Sequence, residues 1–296
     1  MPCYHPISAF KTASGEVVFQ ELARYGNSTP IKIPCGQCIG CKLERSRQWG
    51  VRCMHEAQMH KQNCFITLTY NEENTPERGN LNYSDFQRFM KRLRKHANAN
   101  IRYYMGGEYG STTKRPHFHA CIFGWDFSDR LYFKRTESGE IIYTSRTLER
   151  LWPYGFSSIG NVTFQSAAYI ARYCTSKVTG DAAKIHYRRE DENGEYFLTP
   201  EFSHMSLKPA IGKTWLEKYK NDVYNHDYVI VNGVKATPPK YYDKLLKRWD
   251  SDKLEALKEE REGRSLQHKE DNTWQRLEAK EQFQKQRIKS LRRNKV

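Results

Sequence analysis

The sequence lacks any long apolar run. Its apolar stretches, such as Ala120 to Trp125, are far shorter than the ~20 residues that a membrane-spanning helix needs. The first residues also lack the basic start and apolar run of a secretory signal. We therefore expect a protein without a membrane partner that stays in the cytoplasm, where its eight cysteines are mostly reduced or metal-bound rather than paired in disulfides.

Acidic residues are scarce relative to basic ones. The chain has 34 Asp and Glu against 49 Lys and Arg, a formal net charge of +15, and 13% of its residues are aromatic. Cations can neutralise phosphates, and exposed rings can stack on unpaired bases. This composition favours a nucleic-acid partner, the alternative being a merely basic protein with no such partner.

A complete nucleotide-binding loop is also missing. Gly212, Lys213 and Thr214 resemble its end, but the position that should carry the first glycine is occupied by Leu207. The phosphate cradle is therefore absent, and we predict neither ATPase nor helicase activity.

The apolar periodicity predicts an α+β fold. Strand patterns cover Cys64 to Tyr70, where threonines alternate with apolar residues, and also Ile101 to Tyr109, Pro116 to Phe123 and Gly155 to Thr163. Helical patterns cover Ser84 to Ala97, Thr147 to Trp152, Gln165 to Lys177 and Trp215 to Tyr224, and a further strand is predicted from Tyr228 to Val231. This order matches an antiparallel sheet with helices packed on one face, the split βαβ arrangement.

We predict three regions along the chain. Residues 1–60 would form a cysteine-rich module with a basic helix, and residues 61–240 the main α+β domain. Residues 241–296 would form a charged tail, helical or partly disordered, whose basic end could hold DNA or simply be solvated.

Two histidines mark the first candidate site. His117 and His119 are two residues apart in a predicted strand, so their side chains share one face. If the hairpin is centred between Thr112 and Thr113, Glu108 lies opposite His117. Two imidazoles and a carboxylate would suit Mg²⁺ or Mn²⁺. With a one-residue slip in register, Glu108 would instead be a surface carboxylate beside a turn.

The predicted helix that follows carries Tyr169, Tyr173 and Lys177 at four-residue spacing, which places them in one stripe. Tyrosines at this spacing are usually half-buried core residues. Beside a bound cation and a phosphate, however, a phenol oxygen becomes a more effective nucleophile.

Three segments together carry a family resemblance. The strand from Cys64 to Tyr70, the His117 and His119 pair, and the helix bearing Tyr169 and Tyr173 resemble, in order, the motifs of HUH endonucleases. Within that superfamily the chain is most similar to the rolling-circle replication initiators of microvirus-type single-stranded-DNA bacteriophages, especially the gokushovirus group. The resemblance runs from about Pro34 to beyond Pro209.

The resemblance implies a mechanism and partners. His117 and His119 would be metal ligands with Glu108 as the third, and Tyr169 and Tyr173 would be alternating nucleophiles. One tyrosine would cut the phage origin and leave a 3′-hydroxyl for a host polymerase, with a host helicase separating the strands. Family members usually place the lysine three residues after the second tyrosine, where this chain has Ser176, so Lys177 departs slightly from the pattern.

Cysteines form the second candidate site. Cys35, Cys38 and Cys41 could wrap a zinc ion, with Cys3 as the preferred fourth ligand and His5, Cys53 or His55 as alternatives. An iron–sulfur cluster or plain reduced cysteines remain the other interpretations. The candidate DNA-binding residues are Arg115 and Arg172 near the histidines and tyrosines, and Lys42 and Arg45 after the cysteines.

Three functions are consistent with these patterns. The first is a metal-dependent endonuclease that nicks and rejoins DNA through a phosphotyrosyl intermediate. The second is a noncatalytic single-strand-binding module. The third is a metal-dependent phosphodiesterase that uses activated water, with structural tyrosines.

Overall fold

The structure, a computed structural model, describes residues 3–20, 27–110 and 113–290, without the side chains of residues 173–176 and 290. The described strands are β1 (Ile7–Thr12), β2 (Val17–Val18), β3 (Ser28–Ile33), β4 (Asn63–Tyr70), β5 (Arg102–Tyr109), β6 (Pro116–Phe123), β7 (Leu131–Arg135), β8 (Ile141–Thr144), β9 (Gly155–Gly160), β10 (Arg188–Asp191), β11 (Gly194–Phe197), β12 (Phe202–Met205), β13 (Val229–Val231) and β14 (Val234–Ala236). The described helices are α1 (Ile39–Ala57), α2 (Tyr83–Ala97), α3 (Arg146–Leu151), α4 (Phe164–Ser176), α5 (Asp181–His186), α6 (Lys213–His226), α7 (Lys240–Trp249), α8 (Ser251–Leu266) and α9 (Trp274–Ser290).

The chain divides into two compact units. The described residues of Met1–Arg45 and Asp252–Arg293 form the first unit, and Ser46–Ser251 forms the second, so the division falls within α1. The first unit contains a three-stranded antiparallel sheet in the order β2-β1-β3, together with α9 and nearly all of α8. The division into three regions at residues 1–60, 61–240 and 241–296 remains a prediction.

A seven-stranded antiparallel sheet forms the centre of the second unit, in the order β12-β5-β6-β4-β9-β8-β7. Among the predicted elements, the strands from β4 to β6, the strand β9 and the helices α2, α3, α4 and α6 are confirmed to within a few residues. The predicted α+β class with a large antiparallel sheet is confirmed as well. Strands β7, β8 and β12, which extend the sheet at its edges, were not predicted.

Helices cover both faces of this sheet, so the prediction that they pack on one face is wrong. On one face, alternate residues such as Ile66 and Phe118 pack against the apolar sides of α2 and α3. On the other face, Cys121 and Phe123 pack with Cys53 of α1 and Ile170 of α4. Strand β6 is apolar on both sides over its second half, which is the pattern of a strand buried between two layers.

Among the described residues, no helix combines the length and the apolar composition needed to cross a bilayer.

Candidate metal and nucleophile site

The register of β5 and β6 brings a carboxylate to the two histidines. Glu108 pairs with His117, and Gly106 pairs with His119, as the symmetric hairpin predicted. Ser111 and Thr112, which belong to the link between β5 and β6 in the sequence, lie outside the described residues. One ligand atom each from Glu108, His117 and His119 lies within 4.8 Å of the others. Glu108 and His119 are buried, and His117 is half-buried.

Hydrogen bonds orient both imidazole rings toward Glu108. The Nδ1–H of His117 donates to the carbonyl oxygen of Arg115 at 3.1 Å, and Nδ1 of His119 lies 2.9 Å from the hydroxyl oxygen of Thr67. Nε2 of each ring is 2.9 Å from Oε1 of Glu108. A second partner that fixes the far ring nitrogen is the usual arrangement around metal-binding histidines.

The donor set fits a divalent cation. Because Nδ1 of His117 donates its proton to a carbonyl oxygen, Nε2 of the neutral ring carries a lone pair that faces a carboxylate oxygen of Glu108. The nitrogen and the oxygen are both acceptors, so a proton or a cation must lie between them. Burial disfavours the protonated ring and lowers the pKa of His119, although the hydrogen bond to Glu108 acts in the opposite direction. Oε2 of Glu108 is buried without a hydrogen-bond partner among the described residues. A shared cation would satisfy all three side chains.

Helix α4 holds a tyrosine against this cluster. Thr163 and Ser166 form a capping box that fixes the start of the helix. Ile170 and Ala171 pack on the sheet, and the half-buried ring of Tyr169 meets the ring of His119 edge-on, with 5.1 Å between their centroids. This contact places a phenol beside the cluster of Glu108, His117 and His119.

The other predicted residues lie in the last turns of α4 and at its C-cap. Tyr173 follows Tyr169 by about one helical turn, but its side chain lies outside the described part of the structure. Lys177 is the exposed C-cap residue and has a non-helical backbone. The guanidinium of Arg172, on the exposed side of α4, lies 5.8 Å from the centroid of the Tyr169 ring.

The remaining candidate DNA-binding residues occupy different places. Arg115 donates to the carbonyl oxygen of Tyr70 at 3.4 Å and pairs with the exposed carboxylate of Glu72 at 3.3 Å. Lys42 and Arg45 lie on the part of α1 that belongs to the first unit, the former half-buried and the latter exposed.

Two residues of the site were not predicted as such. Thr67, which contacts His119, is paired with it across β4 and β6. Phe156 of β9 is directly opposite Thr69, which is opposite His117, so these residues and Glu108 form one row across four strands. The Phe156 side chain is 65% exposed, which leaves a flat aromatic surface on the face that bears the histidines.

The fold and the site together define a class: an α+β protein whose antiparallel sheet presents two histidines and a carboxylate to a tyrosine on a helix. Residues 63–178, which include Glu108, His117, His119 and Tyr169, match the family model of the replication-associated protein ORF2/G2P. No solved structure matches the chain.

Phage proteins are similar to the chain over most of its length. It is 35% identical over 257 residues to replication-associated protein VP4 of Bdellovibrio phage phiMH2K, covering 84% of this chain and 78% of that protein. It is 34% identical over 287 residues to replication-associated protein ORF2 of Spiroplasma virus 4, covering 88% of this chain and 86% of that protein. Replication-associated protein ORF4 of Chlamydia phage 1 is 28% identical over 235 residues, which cover 75% of this chain and 55% of that protein. The chain belongs to this family of phage replication-associated proteins.

Proposed function

We propose that this protein initiates replication of a single-stranded-DNA phage genome by cutting and rejoining one DNA strand at the origin, in the manner of HUH endonucleases. It would act in the cytoplasm of the bacterial host, where a host helicase and DNA polymerase would use the cut strand. The observation that carries the proposal is the convergence of Glu108, His117 and His119 on one point, with the ring of Tyr169 against His119.

Glu108, His117 and His119 would hold Mg²⁺ or Mn²⁺. When bound, such an ion polarises a phosphoryl oxygen and offsets the charge that develops during displacement. Thr67 and the Arg115 carbonyl would keep the proton of each ring on Nδ1, so that the lone pair of Nε2 is directed toward the ion. The buried position of His119 favours its neutral, ligating form.

Tyr169 is the proposed nucleophile, with Tyr173 as its alternate for the second cut. The phenol would lose its proton to solvent, and its oxygen would form a bond to the scissile phosphorus. The bond from phosphorus to the 3′-oxygen would break, and that oxygen would take a proton from solvent to become a 3′-hydroxyl. Rejoining is the reverse displacement, in which a 3′-hydroxyl attacks the phosphotyrosine and releases the phenol.

The positive charge and the exposed ring support binding of single-stranded DNA around this centre. Arg172 and Lys177 lie at exposed positions on and beside the helix that bears Tyr169. The row of residues from Glu108 to Phe156 could guide a single DNA strand, with a base stacked on Phe156 and the phosphates near the side chains of Arg172 and Lys177. Single-strand binding without cutting is therefore the second candidate function.

Incubation with a labelled origin oligonucleotide and Mn²⁺ tests the proposal. Strand transfer predicts a protein–DNA adduct that survives denaturation. Cutting without an adduct would indicate activated water as the nucleophile, and binding without cutting would indicate a noncatalytic module.

A further inference from the structure

The cysteines of the first unit form a second cluster that the proposed DNA chemistry does not use. Cys3, Cys35, Cys38 and Cys41 each bring one sulfur atom to within 4.8 Å of the other three. Cys3 comes from the start of the chain, Cys35 and Cys38 from the turn between β3 and α1, and Cys41 from the first turn of α1. Two separate stretches of backbone, the start of the chain and residues 35–41, therefore converge on one point.

From this convergence we propose that the four cysteines bind one Zn²⁺ ion that holds the first unit together. Four thiolates around zinc, at about 2.3 Å each in a tetrahedron, are about 3.8 Å apart. The sulfur of Cys3 lies 3.7 Å from that of Cys35, and the sulfurs of Cys35 and Cys41 are 4.0 Å apart. These separations fit a single tetrahedral ion.

Other interpretations of the cluster fit less well. A disulfide would require a sulfur–sulfur distance of about 2.05 Å, and all four cysteines are free thiols. An iron–sulfur cluster stands between its cysteines and holds their sulfurs farther apart than one ion does. Four closely spaced thiolates without a cation would repel one another.

Backbone N–H groups surround the sulfurs as they surround metal-bound thiolates. Tyr4 donates its N–H to Cys38 at 3.4 Å, Cys35 donates to Cys3 at 3.3 Å, and Cys38 donates to Cys35 at 3.3 Å. Gly36 has a φ of +76°, a left-handed conformation that favours glycine and lets the chain reverse between two of the ligands. Such donors stabilise negative charge on sulfur and fix its direction.

The first unit has little else to stabilise it. Beyond Cys3 and Cys38, its buried hydrophobic side chains among the described residues are Ala9, Leu254, Leu257 and Leu277. A core this small ordinarily needs a covalent or metal cross-link. The ion would tie the N-terminal segment to the start of α1, and that segment also reaches α9 through a 2.9 Å hydrogen bond between Nε2 of His5 and a carboxylate oxygen of Glu281.

Metal analysis of the full-length protein, purified without added chelator, tests the site. We expect one zinc ion per chain that survives dialysis and is lost in Cys38→Ser. Two controls separate this cluster from other zinc-binding groups. Cys64→Ala removes a buried thiol on the α2 face of the sheet, and His119→Ala removes a ligand of the other candidate site. Both variants should retain the ion.

If Cys38→Ser does not fold, cobalt substitution of the unaltered protein gives a second measurement. Co²⁺ in a four-thiolate site produces intense sulfur-to-metal charge-transfer absorption and tetrahedral d–d bands, which excess Zn²⁺ removes. Absence of these bands would overturn the proposal, as would metal-free protein, bound iron in place of zinc, or zinc that leaves with His119→Ala instead of Cys38→Ser.

Discussion

Glu108 and His117 are direct partners across the β5–β6 hairpin, and Oε1 of Glu108 lies 2.9 Å from Nε2 of His117 and equally close to Nε2 of His119. One carboxylate oxygen is thus shared by two imidazoles in a largely buried place. We interpret this arrangement as a cation site, because a cation satisfies three electron-pair donors without charging a buried ring.

Replacing Glu108 with glutamine should therefore weaken the metal site while preserving its shape. We expect the affinity for Mn²⁺ to fall by more than about 100-fold, since loss of even an indirect partner costs about 10- to 100-fold. Calorimetric titration with Mn²⁺ measures this change. Glu72→Gln is the matched control, because that carboxylate is 91% exposed and pairs only at the surface with Arg115. Equal Mn²⁺ affinity in Glu108→Gln and the unaltered protein would remove Glu108 from the ligand set.

Thr67 is expected to act through His119 rather than on the DNA. Thr67→Val keeps the side-chain shape but removes the hydroxyl that lies 2.9 Å from Nδ1 of His119. We predict Mn²⁺ affinity lower by about 10- to 100-fold, with near-normal cutting at saturating metal. Thr67→Ser should restore much of the affinity. A purely structural role for Thr67 would instead lower thermal stability and leave the metal dependence of cutting unchanged.

Phe156 should contribute to binding of single-stranded DNA in particular. Loss of one stacked base costs about 1–3 kcal/mol, so Phe156→Ala should weaken binding of an unpaired oligonucleotide by that amount and Phe156→Trp should preserve it. Fluorescence anisotropy at several salt concentrations measures both, and the salt slope should not change because no phosphate contact is lost. Phe197→Ala, at a ring that is 58% exposed in the separate β10–β11 sheet, is the control. If both alanine variants weaken oligonucleotide binding alike, the single-stranded DNA does not follow the row of residues across the sheet.

His55 should make the second unit sensitive to acid. Burial lowers the pKa of His55 to about 3, and its ring is stacked on Trp215, with Nδ1 2.8 Å from the Tyr242 hydroxyl. The unfolded chain takes up a proton near pH 6.5, whereas the folded chain does so only near pH 3. The stabilising effect of the neutral ring is complete above pH 6.5 and is lost as the pH falls from there toward 3.

When the pH falls from 7 to 5, the titration of His55 alone should lower the free energy of unfolding by about 2 kcal/mol. Urea unfolding at the two pH values measures the loss, and His55→Gln, which cannot titrate, should lose correspondingly less. The same pH dependence in both proteins would show that His55 is not the titrating group.

Local patterns were sufficient to predict the centre of the fold and the pairing of Glu108 with His117. Strand β4 is an apolar, β-branched run with threonines on one face, and the short, symmetric link between β5 and β6 predicts that Glu108 lies opposite His117, as it does. The contact of Thr67 with His119 depends on the pairing of β4 with β6, which are about 50 residues apart in the chain, so no local pattern indicates it.

Edge strands and the second helical layer were harder to predict. Strand β7 is exposed along its whole length and shows no alternation between buried and exposed positions. The run from Ala120 to Phe123 is buried on both sides, which is itself a signal that helices cover both faces. Among the alternatives for the fourth cysteine-site ligand, His55 and Cys53 are committed to the packing of the second unit, and the structure instead brings Cys3 to the cluster.

Mapping the covalent adduct tests the central claim most directly. The protein is incubated with an origin oligonucleotide and Mn²⁺, denatured and digested, and the DNA-bearing peptide is identified by mass spectrometry. We predict an adduct on Tyr169 or Tyr173 that chelator abolishes and that disappears when both are changed to phenylalanine, while either single change leaves some cutting but impairs circle closure. An adduct in the double variant, an adduct formed in chelator, or cutting without any adduct would contradict the account.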